Sequence, residues 1–151
     1  LAQMSADLVS RTIDGLMEGT LKPTSQDESQ VTYAGKLDKS MESLDLTLSS
    51  ERLDCQIRAL SPWPGSSIWL KMPSGEKRLK ILRAIPRPKV QSKVGRVFLK
   101  DGELFLGLEK GALELKQVQW DGKKPISVSD FINGILGVLS VTSEELDIQV
   151  C

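Results

Sequence analysis

The chain has 151 residues, of which 20 are basic and 20 acidic, with two cysteines and no histidine. This length is enough for one domain with its own hydrophobic core, alone or with a short appended piece. The absence of histidine excludes a Ser-His-Asp triad, a His-Glu-x-x-His zinc site and imidazole acid–base catalysis within this chain. Cys55 and Cys151 lack the spacing of metal ligands, so a reducing, cytoplasmic setting is expected.

The net charge of zero conceals an uneven distribution along the chain. The net charge is −3 over residues 1–31, −1 over 32–70, +9 over 71–100 and −5 over 101–151. The positive segment has one acidic residue and ten basic residues, which are Lys71, Lys77, Arg78, Lys80, Arg83, Arg87, Lys89, Lys93, Arg96 and Lys100. A local field of this size attracts polyanions. We therefore predict polyanion binding, and the alternative is a solvated strand face that serves solubility.

Residues 1–18 are predicted to form an amphipathic helix, because apolar residues recur every three or four positions. Gly19 is a typical C-terminal stop, and Pro23 prevents continuation. A single helix cannot bury its own apolar stripe, so we expect a missing preceding domain to cover it. Residue 1 is Leu, no signal-peptide pattern follows and no apolar run spans a membrane, which together predict a fragment or processed piece without membrane contact.

Residues 20–30 are polar and rich in turn-forming residues, which is typical of a linker or surface loop. Residues 31–48 alternate weakly and are predicted to be extended, with Lys36 and Lys39 exposed.

A second helix is predicted to begin at Ser49 or Ser50 and to end before Pro62, because a residue that precedes proline is pushed out of the helical region. Its predicted buried stripe consists of Leu53, Ile57 and Leu60. Cys55 lies on this helix, and we expect its thiol to be buried as a small hydrophobic group.

From Ile68 onward the pattern predicts short β-strands separated by turns. The predicted strands are Ile68–Met72, Arg78–Ile85, Arg96–Leu99, Glu103–Leu108 and Ala112–Trp120. Asp101-Gly102 predicts a type I′ hairpin, and the interruption at Leu82 and Arg83 predicts a β-bulge.

The C-terminal part of the chain is less regular. Ser127 and Asp130 resemble a capping box, which predicts a short helix that ends at Gly134. Residues 138–141 favour a strand and residues 143–146 a helical turn. Five or six short strands with flanking helices predict a small closed or open β-barrel, a fold that often presents one face to a nucleic acid.

Several side chains are candidates for contact with a polyanion. The alternation in the segment from Arg78 to Arg83 places several cations on one strand face, which suits phosphates along a backbone. The pair Lys123-Lys124 is predicted either to contact phosphate or to form a solvated hairpin tip, and the sequence favours the two interpretations equally.

Trp63 and Trp69 either stack on bases or cover the core, and we expect at least one in the core because tryptophan is usually well buried. The carboxylates are scattered and no phosphate-binding loop is present, so no catalytic, cofactor or metal site is expected in this chain.

Three segments together form a recognisable pattern. They are residues 30–39 (Gln-Val-Thr-Tyr-Ala-Gly-Lys-Leu-Asp-Lys), residues 56–65 (Gln-Ile-Arg-Ala-Leu-Ser-Pro-Trp-Pro-Gly) and residues 111–127, which contain Trp-Asp-Gly-Lys-Lys-Pro-Ile-Ser. In order and spacing they resemble the interdomain linker, the Ile-Arg-Ala-Phe-Asn-Pro-Trp-Pro-Gly segment and the Gly-Lys-Lys-x-Met-Ser end of methionyl-tRNA formyltransferases. The opening helix resembles the last helix of that family's catalytic domain, and the resemblance covers about residues 1–134. Ser61 and Leu46 depart from the family's usual Asn and Trp.

The resemblance implies a mainly β fold with flanking helices, namely a small OB-like open β-barrel preceded by a helix left over from an α/β Rossmann-like domain. It implies that residues 1–19 end the missing N-terminal catalytic domain, residues 20–40 are the interdomain linker and residues 41–151 are the barrel. The parent enzyme would transfer a formyl group from 10-formyltetrahydrofolate to methionyl initiator tRNA in the cytoplasm. This fragment would be non-catalytic and would bind the tRNA.

The predicted nucleic-acid-binding residues are Lys36, Lys39, Arg58, Arg78, Lys80, Arg83, Lys123 and Lys124. Two other functions are consistent with the sequence. One is the barrel of a related formyltransferase that acts on a nucleotide-linked amino sugar, and the other is a non-enzymatic interaction module whose opening helix docks on a protein.

Overall fold

The structure is a computed structural model that describes residues 2–139 and 146–151, and the chain divides into two units, Leu1–Gly35 and Lys36–Cys151. The first unit consists of helix α1 (Ala2–Met17) and a 3-10 turn at Glu28–Gln30. Helix α1 ends as the sequence predicts, because Gly19 adopts a φ of 69° and the Gly15 carbonyl accepts hydrogen bonds from the next segment. Its apolar stripe is exposed within this unit and includes Met4, Leu8, Val9, Ile13, Leu16 and Met17.

The second unit is a barrel of antiparallel strands with two helices. It begins with a 3-10 turn (Lys39–Glu42) and helix α2 (Ser50–Leu60). Six strands follow: β1 (Ser67–Met72), β2 (Gly75–Arg87), β3 (Arg96–Lys100), β4 (Glu103–Gly107), β5 (Ala112–Trp120) and β6 (Ile126–Ser127). The unit ends with helix α3 (Val128–Leu139) and strand β7 (Asp147–Gln149). The strand order is β1-β2-β5-β4-β3-β7, and β6 pairs with β5.

The two edges of this sheet meet, which makes the barrel nearly closed. Val150 forms a bridge with Leu70 of β1, and the Cys151 amide donates to the Trp69 carbonyl at 2.9 Å. The predicted mainly β barrel with flanking helices is therefore confirmed. No helix within residues 2–139 and 146–151 is long and apolar enough to cross a membrane.

Local sequence patterns account for several of these elements. The Ser49 hydroxyl accepts from the Arg52 amide at 3.4 Å at the start of α2, and the predicted stripe of Leu53, Ile57 and Leu60 is buried against the barrel. Asp101 and Gly102 both have positive φ, 52° and 79°, as a type I′ hairpin requires.

The predicted β-bulge is also present. The pairing of β2 with β5 shifts register on both sides of Arg83.

Two sequence predictions about the helices need correction. Cys55 is exposed rather than buried, because it lies two residues from both Leu53 and Ile57 and so faces away from their side of the helix. Helix α3 does not end at Gly134 but continues to Leu139, so it includes the first two residues of the predicted strand 138–141. Phe131 and Ile135 are buried one turn apart, and this helical spacing outweighs the glycines.

The predicted extended segment 31–48 contains the 3-10 turn at Lys39–Glu42, in which the Asp38 carboxylate caps the first turn. The predictions for residues 140–141 and 143–145 fall outside the described residues. Leu146, the last residue of the predicted helical turn, is buried and immediately precedes β7.

Candidate nucleic-acid interface

The outer face of β1, β2 and β5 carries three of the eight predicted binding residues, Arg78, Lys80 and Arg83. Opposed residues of antiparallel strands share a face, and the register places Trp69 opposite Arg78 and Lys80 opposite Gln119. We call this the basic face, defined by Trp69, Arg78, Lys80, Arg83, Gln117 and Gln119.

The bulge in β2 is what adds Arg83 to the basic face. In a regular strand Lys80 and Arg83 point to opposite faces, because side chains alternate. Here Lys80 pairs with Gln119 and Arg83 with Gln117, two residues apart on β5, so the two cations lie on the same face. Arg83 is exposed and makes no ion pair within the described residues.

The exposed tryptophans correct a sequence prediction. Trp63 is 56% exposed and Trp69 is 48% exposed, so neither belongs to the core. Trp69 points outward because Ile68 and Leu70, on either side of it, point into the barrel. The period-two pattern of residues 68–72 is the sequence signal that predicts this orientation.

Trp120 is the tryptophan that packs against the core. Its indole lies 5.3 Å from the ring of Phe131, between centroids, with an interplanar angle of 38°. Both exposed indoles remain available to stack on bases, which is worth about 1–3 kcal/mol per base.

Ion pairs neutralise part of the positive segment. Four of its ten cations have a carboxylate partner, in the pairs Arg78–Glu42, Lys80–Asp121, Arg87–Glu114 and Arg96–Asp147. The Lys80–Asp121 pair is loose, at 3.9 Å between Nζ and Oδ1. The other six cations make no ion pair within residues 2–139 and 146–151, so the segment keeps a large excess of positive charge.

The remaining predicted residues lie in three places. Lys36 and Lys39 are exposed at the start of the barrel unit, and Lys123-Lys124 is exposed in the turn between β5 and β6. The turn is held beside β2, because the Asp121 amide donates to the Arg78 carbonyl at 3.3 Å.

Arg58 lies on α2, where it contacts Asp54 at 3.0 Å and the Cys55 sulfur at 3.3 Å. The hydrogen bond to Asp54 raises the pKa of Arg58. The structure thus gathers Arg78, Lys80 and Lys123 around one turn, whereas Arg58, among the described residues, contacts side chains of its own helix.

Arg78 is held by the barrel rather than free in solvent. Its guanidinium forms an ion pair with Glu42, which belongs to the 3-10 turn, and its Nε donates to the Ser67 hydroxyl at 3.1 Å. The Leu44 amide also donates to the Ser67 carbonyl, at 3.3 Å. These contacts fasten the segment that carries Lys39 onto β1 and β2.

We expect Arg78→Met and Glu42→Gln to be energetically coupled. Each variant should destabilise the barrel, and the double variant should lose about 1–2 kcal/mol less than the sum of the single losses, because both changes break the same half-buried contact. Urea unfolding followed by tryptophan fluorescence measures all four proteins. Additive losses would show that the guanidinium does not hold Glu42.

Comparisons with known proteins identify this barrel. The family model for the formyl transferase C-terminal domain matches residues 36–136. The methionyl-tRNA formyltransferases of Streptococcus pneumoniae strains Hungary19A-6 and 70585 are each 36% identical to the chain over 142 residues. These matches cover 93% of this chain and 44% of each relative, so the chain spans less than half the length of these curated relatives.

Solved structures show the same fold. A crystal structure of a HypX variant from Aquifex aeolicus superposes with a TM-score of 0.58 and 19% identity, over 88% of this chain and 23% of that chain. HypX from Aquifex aeolicus in complex with tetrahydrofolic acid superposes with a TM-score of 0.57 and 19% identity, over 86% of this chain and 23% of that chain.

Proposed function

The chain belongs to the formyl transferase C-terminal domain family, and we propose that it is the tRNA-binding part of a methionyl-tRNA formyltransferase. The similarity to the Streptococcus pneumoniae enzymes supports this assignment. The main support for RNA binding is the composition of the basic face. The exposed Arg83, the loosely paired Lys80 and the exposed Trp69 lie there on adjacent strands. Cations and an indole on one face suit backbone phosphates and unpaired bases.

The whole protein, in this proposal, transfers a formyl group from 10-formyltetrahydrofolate to methionyl initiator tRNA in the cytoplasm. The tetrahydrofolic acid in one HypX structure supports a folate donor for the parent enzyme. The donor would bind outside this fragment, which would contribute tRNA affinity and not the chemical step.

We further propose that residues 1–19 end the N-terminal catalytic domain, residues 20–40 form the interdomain linker and residues 41–151 form the tRNA-binding barrel. Two observations support this division. The apolar stripe of α1 is exposed within its own unit, and the relatives are more than twice as long as the matched region. The stripe would pack on the catalytic domain, since burial of apolar surface is what stabilises such a helix.

The proposed phosphate contacts are Lys36, Lys39, Lys80, Arg83, Lys123 and Lys124. Arg78 would act indirectly, because its guanidinium already holds Glu42 and positions the segment of Lys39. Arg58 would contact RNA only after it exchanges its partner Asp54 for a phosphate. All these groups recognise the backbone, so they supply affinity without reading the sequence.

We expect tRNA to bind to the chain with a steep dependence on salt. Six phosphate contacts should reduce the affinity by about a thousandfold between roughly 50 and 200 mM salt, because each contact releases a condensed counterion. Fluorescence anisotropy of labelled initiator tRNA at several salt concentrations gives the slope. Salt-independent binding, or none at low salt, would contradict the proposed function.

A pair of variants locates the interface within this experiment. Arg83→Gln should make the slope of log affinity against log salt about 0.7–0.9 less negative, as for one lost phosphate contact. Lys110→Gln serves as the control, because Lys110 is an exposed cation in the turn between β4 and β5, away from the basic face. An equal effect of the two variants would mean that only the net charge matters.

A further inference from the structure

A cavity of about 330 Å³ lies between the beginning of β2 and the turn after β5, and it is lined by Lys77, Arg78, Trp120, Asp121 and Lys123. The backbone fixes its shape, because the Lys123 amide donates to the Trp120 carbonyl at 3.0 Å and the Gln119 side chain donates to the Lys123 carbonyl at 2.5 Å. This volume is at the lower end for small-ligand sites, so it suits a single nucleotide better than a larger ligand.

Two of the three cations in this cavity are available to an anion. Arg78 is held by Glu42, and the Asp121 carboxylate lies 3.9 Å from Lys80. Lys77 and Lys123 make no ion pair with any residue that the structure describes. Two unpaired ammonium groups at one cavity are a favourable arrangement for a phosphate.

Trp120 supplies a planar apolar wall beside these cations. The indole is half-buried and is held in place by its contact with Phe131, at 5.3 Å between ring centroids. A ring that is fixed before binding loses little conformational entropy when a base stacks on it. A phosphate next to a planar base is the chemistry of a nucleotide.

We propose that this cavity binds one nucleotide, with the phosphate on Lys77 and Lys123 and the base against Trp120. The inference rests on the proposed function when the nucleotide belongs to a bound RNA strand. A free nucleotide or a nucleotide-linked substrate has the same chemistry as a nucleotide of RNA. The experiment therefore tests an RNA and a free nucleotide separately. Lys77 and Trp120 are far apart in the sequence, and the pairing of β5 with β2 is what brings them together.

The test uses the intrinsic fluorescence of Trp120. The chain has three tryptophans, so the double variant Trp63→Phe/Trp69→Phe leaves Trp120 as the only one. Titration of this protein with 5′-AMP and, separately, with initiator tRNA should quench its fluorescence. Adding Lys77→Gln and Lys123→Gln should raise the Kd for 5′-AMP about tenfold or more, since two charge-assisted contacts are lost. Lys89→Gln with Lys100→Gln is the matched control, because these exposed cations of the same segment do not line the cavity.

The outcomes separate this inference from the proposed function. Quenching by tRNA, with or without quenching by 5′-AMP, supports the cavity as a site for a nucleotide of the RNA. Quenching by 5′-AMP in a protein that binds no tRNA supports a free nucleotide as the ligand and contradicts the proposed function. If anisotropy shows tRNA binding but neither ligand quenches Trp120, or if the quenching persists without the two lysines, the cavity inference is overturned and the proposed function stands.

Discussion

Replacement of Gly107 by alanine is expected to lower the free energy of unfolding of the barrel by about 3 kcal/mol or more. A β-carbon at this position would lie 2.1 Å from the Lys93 carbonyl oxygen and 2.6 Å from the Ser92 hydroxyl. The neighbouring backbone cannot move away easily, because the Gly95 amide donates to the Gly107 carbonyl at 3.0 Å. The main chain of β4 and the segment before β3 are therefore in contact at a point that tolerates no side chain.

Urea unfolding followed by tryptophan fluorescence measures this loss, since all three tryptophans lie in the barrel unit. Gly137→Ala is the matched control. Gly137 lies in α3, and no atom of the described residues outside its own helix backbone and chain neighbours lies within 4 Å of the added carbon, so alanine should stabilise the helix by about 0.5–1 kcal/mol. A loss of less than about 1 kcal/mol in Gly107→Ala would contradict the close packing of β4 against the Lys93 segment.

The second large effect is expected at Glu114, whose carboxylate is buried between two cations. Glu114 is 4% exposed, accepts a hydrogen bond from Arg87 Nε at 2.6 Å and forms an ion pair with Lys116. Glu114→Gln should lower the free energy of unfolding by about 1–3 kcal/mol at neutral pH, because it removes the charge that both cations face. Arg87 and Lys116 keep partial solvent access, which limits the loss.

This loss should depend on pH in a defined direction. Burial raises the pKa of the Glu114 carboxyl, but the hydrogen bonds and positive charges of Lys116 and Arg87 outweigh burial, and the pKa lies below its ordinary value of 4.5. A carboxyl with a lowered pKa contributes stability that is present above its unfolded-state pKa and is lost as the pH falls through the folded-state pKa. The difference between the parent chain and Glu114→Gln should therefore be constant near neutral pH and shrink below about pH 4.5.

Glu103→Gln is the control for this series. Glu103 pairs with the same lysine, at 2.9 Å, but its side chain is 47% exposed. A solvent-exposed ion pair is worth about 0–1 kcal/mol, so this variant should cost less than Glu114→Gln. Equal losses, or a difference that grows on acidification, would contradict the role assigned to the buried carboxylate.

Local patterns predicted the parts of the fold in which neighbouring residues act together. The buried stripe of α2 follows from helical spacing, and the turn at Asp101-Gly102 follows from the positive φ that these residue types tolerate. The bulge at Arg83 appears in the sequence as a break in alternation. Its consequence, a third cation on the basic face, requires the pairing with β5 and was assigned only from the register.

Helix α3 and the exposed tryptophans show where local reasoning failed. Two glycines and a short β-branched run argued against helix after residue 134, but burial of Phe131 and Ile135 against the barrel compensates for the low helix propensity. The usual burial of tryptophan predicts a core position for Trp63 or Trp69, but both are exposed. The environment of each residue in the fold decides its exposure.

The sequence by itself determined the positive segment, the approximate positions of β1 to β5 and their turns, and the family resemblance, because each depends on residue types at short spacing. Only the tertiary structure decided which of these cations have a carboxylate partner among the described residues. Arg78 and Glu42 are 36 residues apart, and the packing of the Lys39–Glu42 turn against the barrel brings them together and gives Arg78 a carboxylate partner. The same folding places Lys77, Trp120 and Lys123 around one cavity, since contacts between distant segments depend on how the sheet closes and not on the spacing of residues along the chain.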